Sequence, residues 1–363
     1  GVRVAWQGAQ LFEGAGERFW MHRDGRMRLD APLGGRLLAR GVLDGTNLSY
    51  EATATWIERQ VQPQRIEIDQ PLLQLSSDEA GALRGGGRER GTVLRKVRGS
   101  RLRVDATSIV LDGAQPQLSG LPSAPGRAAW DEAAALLEGW DETGAPWIVR
   151  AGSIRLRGDF RDDRVLKSAD IQALVAQGGF EARLDNRIAA RGDRLDGVPG
   201  RVRFEGRPAV MSVDDSEWES DWIQYDLQNL LLSTDAGELR SRTGATGTSW
   251  SLQYDSLQPY DQQDATILVM KNPRARGGAR QMRADWILLW IDRQKWRTRG
   301  LRMIEEGFDK DPLLRATEAT QQRVAFGPFA DLARHPLAGV VSEVYIEGNL
   351  EFYDQGERDG RAS

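Results

Sequence analysis

Hydrophobic and polar residues alternate along most of this chain in runs of about five to seven residues separated by Gly- or Asp-rich corners. In DWIQYD, Ile223 and Tyr225 fall on one face of an extended segment, and Trp222, Gln224 and Asp226 fall on the other. The same two-residue period is present near the beginning of the chain and near its end. We therefore predict an all-β protein built of short antiparallel strands, each with one apolar face.

The DWIQYD phrase recurs. It occupies residues 221–226, returns as DWILLW at 285–290, and has a looser echo in SWSLQYD at 249–255. A single hairpin cannot bury its own apolar face, so repetition of this kind predicts that successive strand pairs stack as rungs. Tight turns between strands are predicted at the Asp-Gly pairs, because both residues tolerate positive φ; these pairs begin at Asp24, Asp44, Asp112, Asp196 and Asp359.

Two segments interrupt the alternation. GRAAWDEAAALLEGW has apolar residues at helical spacing and an Ala-rich interior, which predicts a helix within Ala128 to Gly139. Residues 301–336 contain LRMIEEGF and FADLARH, which predict short helices. WILLWI is apolar on both faces, so we expect the second segment to cover its outer side.

These patterns divide the chain into five regions. They are an N-terminal β-region at 1–122, a helical insertion at 123–147, a main β-region at 148–300, an irregular and partly helical covering segment at 301–337, and the start of a further β repeat at 338–363. The chain does not begin with Met, so we interpret it as an excised or processed piece. The final phrase stops before a Tyr-Asp strand, and we expect the native chain or a partner to add strands beyond Ser363.

Composition narrows the possible chemistry. The chain has 363 residues, 49 basic against 53 acidic, and no Cys. This balance gives no reason to expect a nucleic-acid partner, and disulfides, thiolate zinc sites and Cys nucleophiles are excluded. The two histidines, His22 and His335, lie in no GxSxG, HExxH or Walker sequence. We therefore predict a protein that is not an enzyme and that has no catalytic residue, metal site or cofactor.

Two weaker features leave alternatives open. The acidic run Asp214, Asp215, Glu217, Glu219 and Asp221 could bind calcium or supply a glycosidase carboxylate pair, although a solvated loop is the simpler interpretation. The twelve Trp residues suit core or edge packing, and stacking of sugars on an outer face is the alternative.

The strand phrases resemble a known family. The order LVAQGGFEARLDNRIAARGDRLD and then GRVRFEGRPAVMSVDDSEWESDWIQYDLQNLLLSTDAG is similar to the OstA-like domain of the periplasmic lipopolysaccharide-transport proteins, the LptA and LptC group. Shared features are a Gly-initiated strand, a GRPA phrase, and a strand that begins Ser-Asp or Ala-Asp and ends Tyr-Asp. The likeness is best over residues 166–235 and returns at 283–291 and 342–356.

The resemblance implies an elongated β-jelly-roll or β-taco, with two facing antiparallel sheets and an apolar groove between them that receives lipid acyl chains. It makes region 148–300 the OstA-like part. Arg201 and Arg203 become candidates for contact with phosphate head groups. The candidate groove residues, taken from the apolar strand faces, are Phe180, Leu184, Val202, Phe204, Ile223, Tyr225, Leu230, Leu232, Ile287, Leu289, Ile346 and Leu350.

The resemblance further implies a periplasmic or cell-envelope location. Its implied partners are lipopolysaccharide or another envelope lipid, and other β-jelly-roll transport proteins that pair through edge strands. Three functional hypotheses remain open at this point. An open, lined groove favours a non-enzymatic lipid conduit; a filled interior favours a repetitive β-scaffold that acts as a surface or interaction protein; and two carboxylates facing each other across a cleft favour a carbohydrate-active or carbohydrate-binding protein.

Overall fold

The computed structural model describes most of the chain between residues 2 and 354. The described residues are 2–7, 11–43, 48–60, 65–75, 92–105, 107–113, 133–140, 146–158, 167–168, 172–184, 188–213, 216–226, 231–241, 250–262, 265–277, 280–292, 294–295 and 341–354. The predicted covering segment at 301–337 lies outside these residues, as do residues 123–132 and 141–145 of the predicted helical insertion.

The chain forms two compact units, Gly1–Pro199 and Gly200–Ser363. The predicted region 148–300 therefore spans the boundary between them. The described strands of unit 1 are β1 (Val2–Gln7), β2 (Leu11–Gly16), β3 (Arg18–Met21), β4 (Met27–Asp30), β5 (Leu37–Leu43), β6 (Leu48–Ala54), β7 (Trp56–Gln60), β8 (Arg65–Asp69), β9 (Leu72–Leu75), β10 (Thr92–Arg98), β11 (Arg101–Asp105), β12 (Ser108–Asp112), β13 (Ala135–Trp140), β14 (Pro146–Arg157), β15 (Lys167–Ser168), β16 (Ala173–Leu184) and β17 (Ile188–Val198).

Those of unit 2 are β18 (Arg201–Val213), β19 (Ser216–Asp226), β20 (Leu231–Thr234), β21 (Gly237–Ser241), β22 (Trp250–Tyr254), β23 (Ser256–Gln262), β24 (Ala265–Lys271), β25 (Arg274–Gly277), β26 (Arg280–Arg283), β27 (Trp286–Asp292), β28 (Val341–Glu347) and β29 (Glu351–Asp354). Every described strand pairing is antiparallel, so the all-β, antiparallel prediction is confirmed.

Unit 1 consists of two strand ladders. Ladder A runs β1-β2-β5-β6-β9-β10-β13, and ladder B runs β3-β4-β7-β8-β11-β12. The chain crosses from one ladder to the other after every second strand. β14 joins the ladders, because its first half pairs with β13 and its second half with β12. β16 and then β17 follow β14 along its full length, each pairing being interrupted by one register shift.

Unit 2 follows the same plan. Ladder C consists of the first half of β18, the second half of β19, and then β20-β23-β24-β27-β28. Ladder D consists of the other halves of β18 and β19, followed by β21-β22-β25-β26-β29. The register of β18 with β19 shifts between Glu205 and Ala209, where the two strands pass from one ladder to the other.

The crossing points, here called corners, are themselves hydrogen-bonded from rung to rung. In unit 1, the Thr55 N–H donates to the Asp69 carbonyl at 3.1 Å, and the Ser100 N–H donates to the Asp112 carbonyl at 2.7 Å. In unit 2, the Asn272 N–H donates to the Asp285 carbonyl at 2.7 Å. The corners therefore extend backbone pairing across the crossings, which satisfies polar groups that would otherwise be left without partners.

The predicted helix within Ala128 to Gly139 is wrong from Ala135 onwards, because Ala135–Trp140 is strand β13. This strand lies between β10 and β14 in ladder A. Ala135, Leu136 and Leu137 are all buried, so both faces of the strand are covered. A strand covered on both faces reads as a continuous apolar run, which sequence alone does not separate from helix. Pairing on both edges outweighs the modest helix preference of Ala and Leu.

The Asp-Gly prediction is confirmed at one pair and wrong at two. Asp24 and Gly25 form the turn between β3 and β4, with Gly25 at φ +81°. Asp112 ends a strand and Gly113 lies at a corner, where the chain crosses between ladders. Asp196 and Gly197 lie within β17. The pairs at Asp44 and Asp359 are outside the described residues.

Candidate functional site

Eight of the ten sequence-predicted groove residues of unit 2 fall into two neighbouring rows on one face of ladder C. The first row joins directly paired residues across seven strands: Phe204, Ile223, Thr234, Leu257, Met270, Ile287 and Ile346. The second row contains Val202, Tyr225 and Leu232 on its first three strands, and Leu268, Leu289 and Val344 on its last three. Alternation therefore assigned the correct face to these candidates.

Ladder D contributes an apolar row that the candidate set did not include. It consists of Met211, Trp218, Leu239, Leu252, Ala275, Met282 and Phe352. Met211, Leu239, Leu252, Ala275 and Met282 are buried. The alternation that placed the ladder C residues is present in these strands too. It is harder to read in β18, because Ala209, Val210 and Met211 are consecutive apolar residues.

A polar contact joins the two ladders close to a corner. The hydroxyl of Thr234 in ladder C is hydrogen-bonded to the hydroxyl of Tyr254 in ladder D at 3.1 Å. Thr234 is fully buried. The Gln258 side-chain amide donates to the Thr234 carbonyl at 3.1 Å. Burial raises the pKa of Tyr254 to about 12, although the bond to Thr234 acts in the opposite direction. The only polar member of the first row is thus satisfied within the protein.

The interior rows are closed in the middle of unit 2 and uncovered at its last described rung. Ile223 is 0% exposed and Leu289 is 8% exposed, whereas Val344 and Phe352, which continue the same rows, are 53% and 52% exposed. Burial also raises the pKa of Tyr225 to about 12, with the charge of Asp226 as a smaller cause. The side chains of the two ladders therefore fill the interior, and its apolar surface reaches solvent at β28 and β29.

The other groove candidates have different positions. Phe180 is buried, but in unit 1, where it pairs with Ala151 of β14. Leu184 is the last residue of β16, and its side chain lies outside the described part of the structure, as does the whole of Leu230. Leu350 immediately precedes β29 and is 57% exposed, as the residues of the last described rung are.

The two head-group candidates lie on the outer face of ladder C. Arg203 donates to Glu205 at 2.9 Å, and its guanidinium lies 4.7 Å from the centre of the Trp222 ring. Arg201 begins β18, at the end furthest from the corner, and is exposed. Val202 and Phe204 alternate with these arginines, so the arginines face away from the interior. An acyl chain held between the ladders would therefore meet Arg201 only at the end of β18 that is furthest from the corner.

The tryptophans of the outer faces are partly occupied by cations. Trp56 has Arg28 at 4.4 Å and Arg101 at 5.7 Å from its ring centre, and Trp286 has Lys271 at 5.7 Å. These stacks are typical cation–π contacts. They leave less free ring surface for stacking with sugars than the number of Trp residues suggests.

The acidic run is described in part. Asp214 and Asp215 lie outside the described residues. Glu219 and Glu238 flank Arg240 at 3.3 and 2.6 Å, and the bond from Arg240 holds the pKa of Glu238 below its usual range. An open cleft of about 410 Å³ lies outside the corners and is lined by Asp221, Glu238, Tyr254, Asp255 and Arg274, among others.

Two further observations concern metals and membranes. Within the described residues, no three His, Cys, Asp or Glu side chains are grouped closely enough to hold a metal ion. No helix in the described part of the chain has the length and apolar character needed to cross a membrane. His22 lies exposed beside the β3–β4 turn, and His335 is outside the described residues.

Comparisons of the chain with protein-family models, curated proteins and solved structures gave no match. The resemblance to the OstA-like domain therefore depends on the quoted strand phrases alone. Two of the three recurring phrases occupy equivalent positions in the structure. Ile223 of DWIQYD and Ile287 of DWILLW lie in the same row of ladder C. The second phrase, which contains Trp250 and Tyr254, lies in ladder D.

Proposed function

We propose that this chain is a non-enzymatic cell-envelope protein that binds or conducts lipid acyl chains along the apolar interior between ladders C and D. The observation that carries the proposal is the continuity of the interior rows. One row runs without a charged residue from Phe204 to Ile346 across seven paired strands. Its length and apolar character suit an extended hydrocarbon chain better than a compact polar ligand.

The energetics of burial support such a ligand. Each methylene removed from water contributes about 0.8 kcal/mol, so a long acyl chain is held without a charged anchor. The middle of the interior is filled by the protein's own side chains, so entry there requires the ladders to separate. The last described rung needs no such separation, because Val344 and Phe352 are already about half exposed. We propose this rung as the place where an acyl chain first enters.

The proposed lipid is lipopolysaccharide or another envelope lipid, and a periplasmic location follows from it. The proposed protein partners are other β-jelly-roll transport proteins. Among the described strands, β28 pairs only with β27 and β29 pairs only with β26. Each therefore presents a free edge to which a strand of another protein can add by backbone pairing.

Photo-crosslinking in cells tests the proposal. A photoreactive residue is placed at Phe204, Ile223 or Val344, which face the interior, and at Gln224 as the matched outward control in the same strand as Ile223. We expect lipid adducts at the interior positions, strongest at Val344, and none at Gln224. Adducts only to the same chain at all three interior positions would reject lipid binding.

A second candidate function is favoured by the burial of the same residues. Ile223 and Thr234 are fully buried, which is the behaviour of a permanently closed core. On this hypothesis the chain is a repetitive β-scaffold that acts through its surfaces. The two functions separate in one measurement: an acyl-chain probe such as a fluorescent fatty acid stabilises the protein against heating only if the interior admits it.

A further inference from the structure

Unit 1 has an exposed apolar edge whose chemistry differs from that of the last rung of unit 2. This edge, here called the Trp20–Leu33 edge, consists of Trp20, Met21 and Leu33, which are 50%, 72% and fully exposed. Trp20 and Met21 belong to β3, whose only partner among the described strands is β4. Isolated exposed apolar residues are common, but three on the β3–β4 hairpin and the loop that follows it mark a contact surface.

Leu33 is held at the tip of a tight turn. The Gly35 N–H donates to the Pro32 carbonyl at 2.8 Å, and Gly34 has φ +74°. A hydrogen bond from the fourth residue to the first and a glycine of positive φ at the third position are typical of a type II turn, so Leu33 occupies the second position of a tight turn. A tight turn presents this leucine at little entropic cost to whatever it contacts.

Trp20 is fixed close to the same loop. Its indole N–H donates to the Asp30 carboxylate at 2.8 Å, three residues before Leu33 in the chain. The polar atom of the indole is therefore already satisfied by the protein while half of the side chain remains exposed. This arrangement suits insertion at a membrane interface, where tryptophan is enriched and an unsatisfied N–H would be costly.

The charges around this edge are positive, although the whole chain carries −4. Residues 17–36 contain five Arg against Glu17, Asp24 and Asp30, a net of +2. Two of the three acids are engaged: Asp24 pairs with Arg26 at 2.8 Å, and Asp30 pairs with Arg28 at 2.7 Å. Arg18 and Arg23 are exposed and have no carboxylate partner among the described residues. An anionic surface is the complementary partner.

We propose that the Trp20–Leu33 edge docks this protein onto the surface of an anionic phospholipid bilayer. Trp20, Met21 and Leu33 enter the interfacial layer, while Arg18 and Arg23 contact lipid phosphates. This contact does not depend on the proposed lipid-binding interior. The exposed apolar residues of the last rung of unit 2 lie among Glu343, Glu347 and Glu351, so the same attraction is not expected there.

Vesicle flotation tests the proposal with the full chain. The probes are vesicles of phosphatidylcholine alone and of equal parts phosphatidylcholine and phosphatidylglycerol. We expect binding to the anionic vesicles at low salt and a loss of affinity as salt is raised. A Trp20→Ser/Leu33→Ser variant should bind about tenfold more weakly. Removing Arg18 or Arg23 should weaken binding about fivefold for each arginine.

The matched control is Tyr345→Ser/Tyr353→Ser, which removes exposed apolar surface from unit 2 and should bind like the wild type. Leu33→Ser alone serves as a second apolar variant, because a fully exposed side chain contributes little to folding. Equal binding to neutral and anionic vesicles, no binding, or full retention by the Trp20→Ser/Leu33→Ser variant would overturn the proposal. Self-association that this variant abolishes, without vesicle binding, would identify the edge as a contact between copies.

Discussion

The crossings between ladders use two kinds of corner, and both kinds occur in both units. Glycine corners allow close backbone approach: a Cβ at Gly99 would lie 2.5 Å from the Asp112 carbonyl, one at Gly113 would lie 2.7 Å from the Ala135 nitrogen, and one at Gly237 of unit 2 would lie 2.6 Å from the Glu219 carbonyl. At other corners side chains link successive rungs, as when the Thr55 hydroxyl donates to the Asp69 carboxylate at 2.5 Å in unit 1 and the Asn272 amide donates to the Asp255 carboxylate at 2.5 Å in unit 2. Asp285 accepts from the Asn349 backbone N–H at 3.2 Å.

The difference shows that the fold requires the crossing and not a particular residue. A glycine corner is stabilised by close packing of backbone, so any added atom must displace the neighbouring rung. An Asp-Asn corner is stabilised by exposed polar bonds, which water can partly replace. We therefore expect the two kinds of corner to respond very differently to substitution, although they serve the same geometry.

Substitutions in the interior should lower the free energy of unfolding more than substitutions at either kind of corner. We expect Ile223→Ala to lower the free energy of unfolding by about 3–4 kcal/mol, because a fully buried branched side chain is lost and a cavity is left. Ile346→Ala is the matched control in the same row, and since it is only partly buried its cost should be about 1 kcal/mol. Urea unfolding followed by Trp fluorescence measures both. Equal costs would show that the row is not covered as described.

The glycine corners of unit 1 should give the next largest effect. Gly99→Ala and Gly113→Ala should each cost about 2–3 kcal/mol, because the new Cβ meets backbone atoms that cannot move aside easily. Gly197→Ala is the control, since its nearest neighbours would lie at 3.7 Å, an ordinary contact distance. Thermal unfolding compares the three variants. A Gly99 variant as stable as the Gly197 variant would contradict close packing at the corner.

High pH should lower the stability of unit 2. Burial raises the pKa of Tyr225 and of Tyr254 from 10.0 to about 12, so the folded chain holds both phenol protons more tightly than the unfolded chain. Their contribution is fully present below pH 10 and is lost as the pH rises from 10 towards 12. Unit 1 contains a single tyrosine, Tyr50.

We expect two phenols to titrate late in the ultraviolet tyrosinate absorbance, and Tyr225→Phe and Tyr254→Phe each to reduce the alkaline loss of stability. Tyr254→Phe should also cost about 1 kcal/mol at neutral pH, through the hydrogen bond with Thr234. The exposed Tyr260 provides a control, and Tyr260→Phe should change neither quantity. An unchanged alkaline loss in both buried variants would refute this assignment.

The smallest effect is expected at an Asp-Asn corner of unit 2. Asp255→Ala should cost about 0.5–1 kcal/mol, because the bond to Asn272 is largely exposed. Asn272→Ala should cost more, because Asn272 has φ +49°, a backbone conformation that alanine disfavours. A double-mutant cycle isolates the coupling of the pair, which should be of the same size as the cost of Asp255→Ala. A cost as large as that of Gly99→Ala would remove the distinction between the two kinds of corner.

The positions of most strands and the faces on which their side chains lie could be predicted from the sequence. The geometry of the corners and strand β13 could not. Alternation assigned Val202, Phe204, Ile223 and Ile287 to the interior, because a period of two fixes the face once a strand is recognised. It failed at Ala135–Trp140, where burial on both faces removes the period.

Corner packing could not be read because it depends on atoms far apart in the chain. Nothing around Gly99 in the sequence indicates that its neighbour in space is Asp112. The rim position of Arg201 and the stacking of Arg203 on Trp222 are likewise consequences of register. The hydrogen bond between Thr234 and Tyr254 depends on two ladders being brought together, which local pattern does not encode.

β14 fixes the two ladders of unit 1 relative to each other. Pro146–Arg157 is one continuous strand, and it aligns β12 through its second half and β13 through its first half. Residues 113–134 lie between those two strands in the chain, yet the Gly113 N–H donates to the Gly152 carbonyl at 2.8 Å. The positions of β12 and β13 relative to each other are therefore set by their shared partner strand, whatever the number of residues that connects them.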